Sequence, residues 1–247
     1  LVALSGLTMA IKQAAQSPAT TLAALAAAAV GAWLFVRRQH RLADPLLTFD
    51  IFRSRLFTGG VLAAAGGMFV LAGAELMTTQ KLQLVDALTP LTAGATVAVM
   101  ALSAIPASVL GGAYLHNIGF LPLISGGFVG AVVGAVALAT GWTSIGMVLL
   151  GLSAGSVMSV SSIAIIGSAP MHRSGMAAGV EEVSYELGTL ITVALTGSLL
   201  QAALDRGVEY TDAYNGVIGV LAAGAACFAV ATWWCFRDNP KSGGVDA

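Results

Sequence analysis

Residues 120–140 read FLPLISGGFVGAVVGAVALAT, a run without one ionisable side chain. At 1.5 Å per residue a helix of that length covers about 30 Å, the hydrocarbon thickness of a bilayer. That layer holds no water, so backbone groups must pair inside a helix or around a closed barrel. Barrel strands alternate apolar and polar residues over about ten positions. This run is continuous, and a helix follows. Similar runs recur along the chain, and their edges predict spans at 1–11, 19–36, 57–78, 90–112, 120–140, 144–167, 174–200 and 214–236. The breaks between them carry turn chemistry: Ser17-Pro18, Asp44-Pro45, Thr89-Pro90, Gly141-Trp142 and Ala169-Pro170. The expected fold class is an all-α polytopic membrane protein.

Composition agrees with this reading. Of 247 residues, 57% are hydrophobic and only 9% charged, and the mean hydropathy is +0.87. A soluble domain carries about a quarter charged residues, so a single large core does not explain the deficit. A net charge of −1 gives no basic footprint for nucleic acid. Cys227 and Cys235 fall on one predicted helix, roughly 12 Å apart along its axis, too far for a mutual disulfide. Residues 1–11 lack the basic start and cleavage site of a signal peptide and read as the tail of a helix, so the sequence is expected to begin inside a longer protein.

Orientation follows from the basic residues. Alternate connections place Arg37, Arg38, Arg41, Arg53, Arg55, Arg173, Arg237 and Lys241 on one side, against Lys12, Lys81 and Arg206 on the other. The richer side is expected to be cytoplasmic, the C-terminus with it. Residues 37–56 mix Leu46, Leu47, Phe49, Ile51 and Phe52 with Arg53 and Arg55, the pattern of a segment lying in the cytoplasmic interface. Gly126, Gly130 and Gly134, and again Gly151 and Gly155, repeat at the four-residue spacing that lets helix backbones approach. Pro106 is expected to kink the 90–112 span.

Most predicted spans carry no ionisable group, which makes the exceptions informative. The 174–200 span holds Glu181, Glu182 and Glu186 within Val180–Gly188. Each carboxylate at mid-bilayer costs roughly 2.5–3.5 kcal/mol on insertion scales, on the order of 8–10 kcal/mol for the three. Counted from residue 174, they lie about 10–18 Å deep, and they are expected to face a water-accessible cavity. Glu182 and Glu186 share one helix face, while Glu181 sits about 100° round, above Tyr185. Carboxylates this close, away from bulk water, cannot all stay ionised and are expected to share protons as a coupled set. A group that binds either a proton or a cation in its place performs the exchange an antiporter needs. Tyr185 would add an aromatic face for an organic cation. Glu75, near the far end of the 57–78 span, is a fourth candidate, as a cation-binding group or a partner of Lys81. His40, His116 and His172 form no metal-spaced cluster, and no HExxH, CxxC, GxSxG or P-loop pattern is present. Neither a cofactor, a metal nor an enzymatic activity is expected.

Three stretches together carry a family resemblance. They are Asp50–Gly60; Glu75-Leu76 with Thr79–Val85 and Thr89–Gly94; and Ala178–Glu182 continuing through Tyr185–Gly188 to Gly197–Leu200. The sequence resembles the fourteen-span drug:proton antiporters of the major facilitator superfamily, of the kind that export methyl viologen and quaternary ammonium compounds. The resemblance implies that residues 1–36 end a pair of central linker helices. It also implies an interfacial connection at 37–56, a C-terminal six-helix bundle at 57–236 and a cytoplasmic tail at 237–247. Acidic residues in the helix matching 174–200 would serve cation recognition or proton coupling, which maps onto Glu182 and Glu186. The helix matching 90–112 departs from members with an acid there, having Thr92, Thr96 and Ser103 among its polar side chains and no acid. Tyr114–Gly119 likewise replaces the usual basic, Asp-containing connection. The expected function is proton-coupled export of lipophilic cations from the plasma membrane by alternating access, with an N-terminal half of the same protein as the other wall. A major-facilitator carrier of another metabolite and a non-transporting scaffold or sensor are the alternatives. An anion carrier would favour an arginine inside the spans, and a scaffold would leave the three glutamates unexplained.

Overall fold

The computed structural model describes residues 18–39 and 49–237, and these contain no strand. They form α1 (Pro18–Gln39), a 3-10 turn (Phe49–Arg53), α2 (Arg55–Leu84), α3 (Pro90–Ile118), α4 (Phe120–Ala139) and α5 (Thr143–Gly167). A second 3-10 turn (Met171–Arg173), α6 (Ser174–Asp205) and α7 (Tyr210–Phe236) complete the described chain. The expected segments at 1–11 and 40–48 and the tail from 238 lie outside the described residues. The chain divides into two units, residues 1–51 and 52–247. The first contributes α1, which covers the predicted 19–36 span. All that follows concerns the second.

Six of its helices are long and apolar enough to cross a membrane, so the chain is an all-α multi-pass membrane protein. Each helix exceeds its predicted apolar run or matches it closely, because polar caps and amphipathic ends extend helices past the hydrocarbon layer. Ser54 caps α2, its hydroxyl accepting from the Phe57 N–H at 3.4 Å. Thr89 caps α3 in the same way at 3.3 Å, with Pro90 at the first helical position. Between α3 and α4 only Gly119 intervenes, at φ 87°, a left-handed conformation that glycine adopts without steric cost. Helix α3 runs on through Pro106.

Helices α2 and α5 lie at the centre and touch each other. Helix α3 packs on α5, α6 packs chiefly on α2, and α4 and α7 pair with each other while closing onto α5 and α2 respectively. Helices α3 and α6 make no contact. Small residues set these crossings. A Cβ at Gly151 would overlap the Met100 carbonyl and the Ser103 hydroxyl of α3, and one at Gly155 the Ala104 carbonyl. Gly130 and Gly134 face α5 at Ser153 and Leu150. Gly126, first in that glycine series, meets nothing within 4 Å; Gly127 takes its place against Val157 and Ser156. On α6, Gly188 lies against the Ala65 carbonyl of α2.

The two ends of this bundle differ chemically. At one end Gly59 meets Phe236, Gly60 meets Ala164 and Ile165, and Phe120 stacks on Phe236 at 5.9 Å. That end carries Arg55, whose guanidinium lies 5.4 Å from the centre of a Trp234 ring, and Arg237, 5.7 Å from a Trp233 ring. Phe52 packs edge-on against Phe57 at 5.2 Å, and the Thr58 hydroxyl donates to the Phe52 carbonyl at 2.8 Å. At the other end the Lys81 ammonium sits 4.7 Å from the Tyr214 ring centre, and the Tyr214 and Thr78 hydroxyls, both buried, are hydrogen-bonded at 3.0 Å. Cation-bearing aromatics at both ends are what the two polar faces of a bilayer select.

Candidate site on helix 6

Helix α6 buries a single stripe: Ala177, Glu181, Ser184, Gly188, Thr192, Thr196 and Leu200. The three- and four-residue spacing is that of one helix face. Two of its hydroxyls bond within the helix, Ser184 donating to the Val180 carbonyl at 2.6 Å and Thr196 to the Thr192 carbonyl at 2.7 Å, whereas the buried Thr192 hydroxyl has no hydrogen-bond partner among the described residues. One member of the stripe is a carboxylate. Glu181 is 9% exposed, and its Oε1 accepts a 2.8 Å hydrogen bond from the hydroxyl of Tyr185, one turn on. Tyr185 is half-buried.

Glu182 and Glu186 are exposed, on the opposite side of α6 from that stripe. Gly175 and Gly179 share that side and meet nothing within 4 Å. Glu75 is exposed on α2. Since Gly188 meets Ala65 and Gly73 meets Thr192, α2 and α6 run parallel. Glu75 therefore sits roughly 10–20 Å further along the axis than the α6 carboxylates. Lys81 is engaged on the Tyr214 ring, and six residues of helix separate the directions of Glu75 and Lys81.

The predicted acids thus divide into three places. Glu181 and Tyr185 are joined inside the bundle, Glu182 and Glu186 stand together outside it, and Glu75 is apart on α2. Sequence reading set Glu181 about 100° from Glu182 without deciding which of the two points inward. It missed the Thr78–Tyr214–Lys81 group, since that joins residues 136 apart in the chain. Cys227 is exposed and Cys235 buried, both as free thiols. Among the described residues no three of His, Cys, Asp or Glu are grouped to hold a metal ion.

No family model matches the chain. It is similar to the multidrug efflux pump LfrA of Mycolicibacterium smegmatis, 33% identical over 250 aligned positions that cover 94% of this chain and 50% of that protein. The methyl viologen resistance protein SmvA of Salmonella typhimurium is 29% identical over 183 positions, 71% of this chain and 37% of its own. The tetracenomycin C resistance and export protein of Streptomyces glaucescens is 27% identical over 191 positions, covering 73% and 35%. The chain spans half or less of the length of each of these relatives. Six membrane-length helices, an acidic stretch inside one of them and these relatives agree: the chain belongs to the drug-exporter family of the major facilitator superfamily.

Proposed function

We propose that this chain is part of a secondary transporter of the plasma membrane that exports lipophilic cations in exchange for protons by alternating access. The observation that carries this reading is the placement of Glu182 and Glu186 on one exposed face of a membrane-length helix. A carboxylate facing hydrocarbon would cost a few kcal/mol, so that face belongs against water or another part of the protein. Two carboxylates four residues apart can hold one proton between them or meet a positive charge together. Competition between proton and cation for that pair is the elementary step of antiport. The relatives support the drug-export class, since their names describe multidrug efflux, methyl viologen resistance and tetracenomycin C export. An N-terminal half of the same protein supplies the other wall of the cavity. The carboxylate pair on α6 supports the proton gradient as the energy source.

The test uses the full-length protein in inverted membrane vesicles loaded with a fluorescent lipophilic cation. Collapsing the proton gradient is expected to stop transport, and depleting ATP while a gradient is held is expected to leave it intact. Transport that persists without a proton gradient would overturn the antiport reading.

A further inference from the structure

Cations rest on aromatic rings at both ends of the bundle, in contrasting surroundings. At the Lys81 end the ring is Tyr214, buried inside the bundle, and Asp86, Asp205, Glu209 and Asp212 bring carboxylates to that end. At the Arg55–Arg237 end the rings are those of Trp234 and Trp233, 56% and 46% exposed. Arg53, Arg55 and Arg237 are exposed there too. From residue 52 onward no described carboxylate lies at this end short of Glu181, seven residues into α6. Asp50 precedes the arginines in the 3-10 turn, and with it counted the guanidiniums remain in excess.

These arginines are held by their faces. The Arg55 guanidinium lies 5.4 Å from the centre of a Trp234 ring, and that of Arg237 lies 5.7 Å from a Trp233 ring. A guanidinium stacked this way carries its five N–H donors at its edge, in the plane that suits a phosphate. Arg55 is one turn from Gly59, which meets Cys235 and Phe236 of α7. The two cations therefore stand on adjacent helices at one level.

A strip of α7 leads away from the indoles. Ala223, Cys227 and Val230 are exposed at alternating four- and three-residue steps, and Trp234 and Arg237 continue the series. That spacing is one helix face. Leu221, Ala225 and Thr232 are buried on the opposite one. Helix α7 is long and apolar enough to cross a membrane, so the strip runs along the hydrocarbon layer. Its indole and guanidinium end sits where headgroups lie.

We propose that this corner binds one anionic phospholipid of the adjacent leaflet. Its headgroup phosphate bridges Arg55 and Arg237, and an acyl chain lies along the strip from Trp234 toward Ala223. The small side chains at 223 and 227 leave room for that chain beside the bulkier indoles. A zwitterionic headgroup would bring its own cation to the same guanidiniums, whereas an anionic one does not. The bound lipid ties the start of α2 to the end of α7. The site is separate from the carboxylates of α6 and does not rest on the proposed antiport.

The test takes the full-length protein, stripped of lipid in detergent, and adds phosphatidylglycerol or phosphatidylcholine with identical acyl chains. Native mass spectrometry counts the lipids bound. The first phosphatidylglycerol should bind about tenfold more tightly than the first phosphatidylcholine, or better. Combining Arg55→Gln with Arg237→Gln should weaken phosphatidylglycerol about thirtyfold. Both arginines are exposed, so the double variant should keep the parent's melting temperature in phosphatidylcholine. If it does not, the single variants decide, each expected to lose about fivefold. Arg173→Gln removes a charge at the same end but before α6, and should leave the affinity unchanged. Inorganic phosphate should compete no better than chloride at equal ionic strength, since it has no chain for the strip. A parent without headgroup preference would overturn the site, as it would if the rest of the protein covers the strip. An equal loss in Arg173→Gln would reduce it to diffuse charge, and displacement by phosphate would make it a free-anion site; either result ends the proposal.

Discussion

Glu181, Glu182 and Glu186 occupy less than two turns of one helix yet meet different surroundings. Their presence was legible from composition alone, because acids are rare in a chain with 9% charged residues. The neighbour relation of Glu181 and Tyr185 was legible too, since residues four apart stack on a helix, and the 2.8 Å bond realises it. What could not be read was which acid points inward, because that depends on the face of α6 that α2 covers. Gly188 and Thr192, against Ala65 and Gly73 of α2, fix that face and carry Glu181 inside with them. The surroundings predict different consequences for the outward pair. Glutamine keeps the shape of glutamate and lowers the insertion cost, so Glu182→Gln and Glu186→Gln should be no less stable than the parent. Losing a charge-assisted contact worth roughly 1.5–3 kcal/mol should weaken apparent affinity for a monovalent cation about ten- to hundredfold. Concentration-dependent export of a fluorescent monovalent cation, at matched protein levels, checks this. Unchanged affinity in both variants would make the pair structural.

Each helix was visible in the sequence as an apolar run, and the structure departs from those runs mainly at their ends. One such extension is at α2, which runs to Leu84 where the apolar run stops near Thr78. Its last turns carry Thr79, Gln80 and Lys81, which leave the hydrocarbon layer without breaking the helix. Which helices pack together was not visible, because hydrophobic periodicity is weak when lipid and core are equally apolar. Glycine spacing gave part of the answer. Gly130, Gly134, Gly151 and Gly155 do sit in helix crossings, whereas Gly126 does not, since a four-residue spacing marks a helix face without naming its neighbour. The same distinction predicts opposite outcomes for two glycines of α6. Gly→Ala in an exposed helix position gains about 0.8–1 kcal/mol of helix propensity. At Gly179, which meets nothing within 4 Å, the substitution should leave the melting temperature unchanged or raise it. At Gly188 the added methyl overlaps the Ala65 carbonyl, and overpacking of this kind costs about 1–3 kcal/mol. Gly188→Ala should therefore melt several degrees lower in detergent, as read by temperature-dependent size-exclusion chromatography. A Gly188→Ala protein as stable as Gly179→Ala would show that the α2–α6 crossing is looser than described.

At the scale of the whole bundle, charge is sorted between two ends. Arg53, Arg55, Arg173 and Arg237 gather where Phe120 and Phe236 stack and where α6 begins. Lys81 and Arg206 lie at the opposite end, with Tyr210, Tyr214 and the acids Glu209 and Asp212. An even number of helices between α2 and α7 returns the chain to the end from which it started, so Arg55 and Arg237 lie together. Basic residues are retained on the cytoplasmic side during insertion, and the imbalance therefore predicts that the Arg55–Arg237 end faces the cytoplasm. The proposed substrate path then has a direction. Glu181, Glu182 and Glu186 stand nearer the cytoplasmic end, seven to twelve residues from the start of α6, or about 10–18 Å along its axis, while Glu75 stands toward the outer end of α2. A proton entering from outside would pass the level of Glu75 before reaching α6, and a cation leaving the cytoplasm would meet the α6 pair first. Single cysteines in a cysteine-free background test the orientation on which this order depends. Val208→Cys, in the exposed turn between α6 and α7, should react in intact cells with a membrane-impermeant maleimide. His172→Cys, in the exposed turn before α6, should react only after the cells are opened. The reverse pattern would invert the bundle, and with it the order in which proton and cation meet these carboxylates.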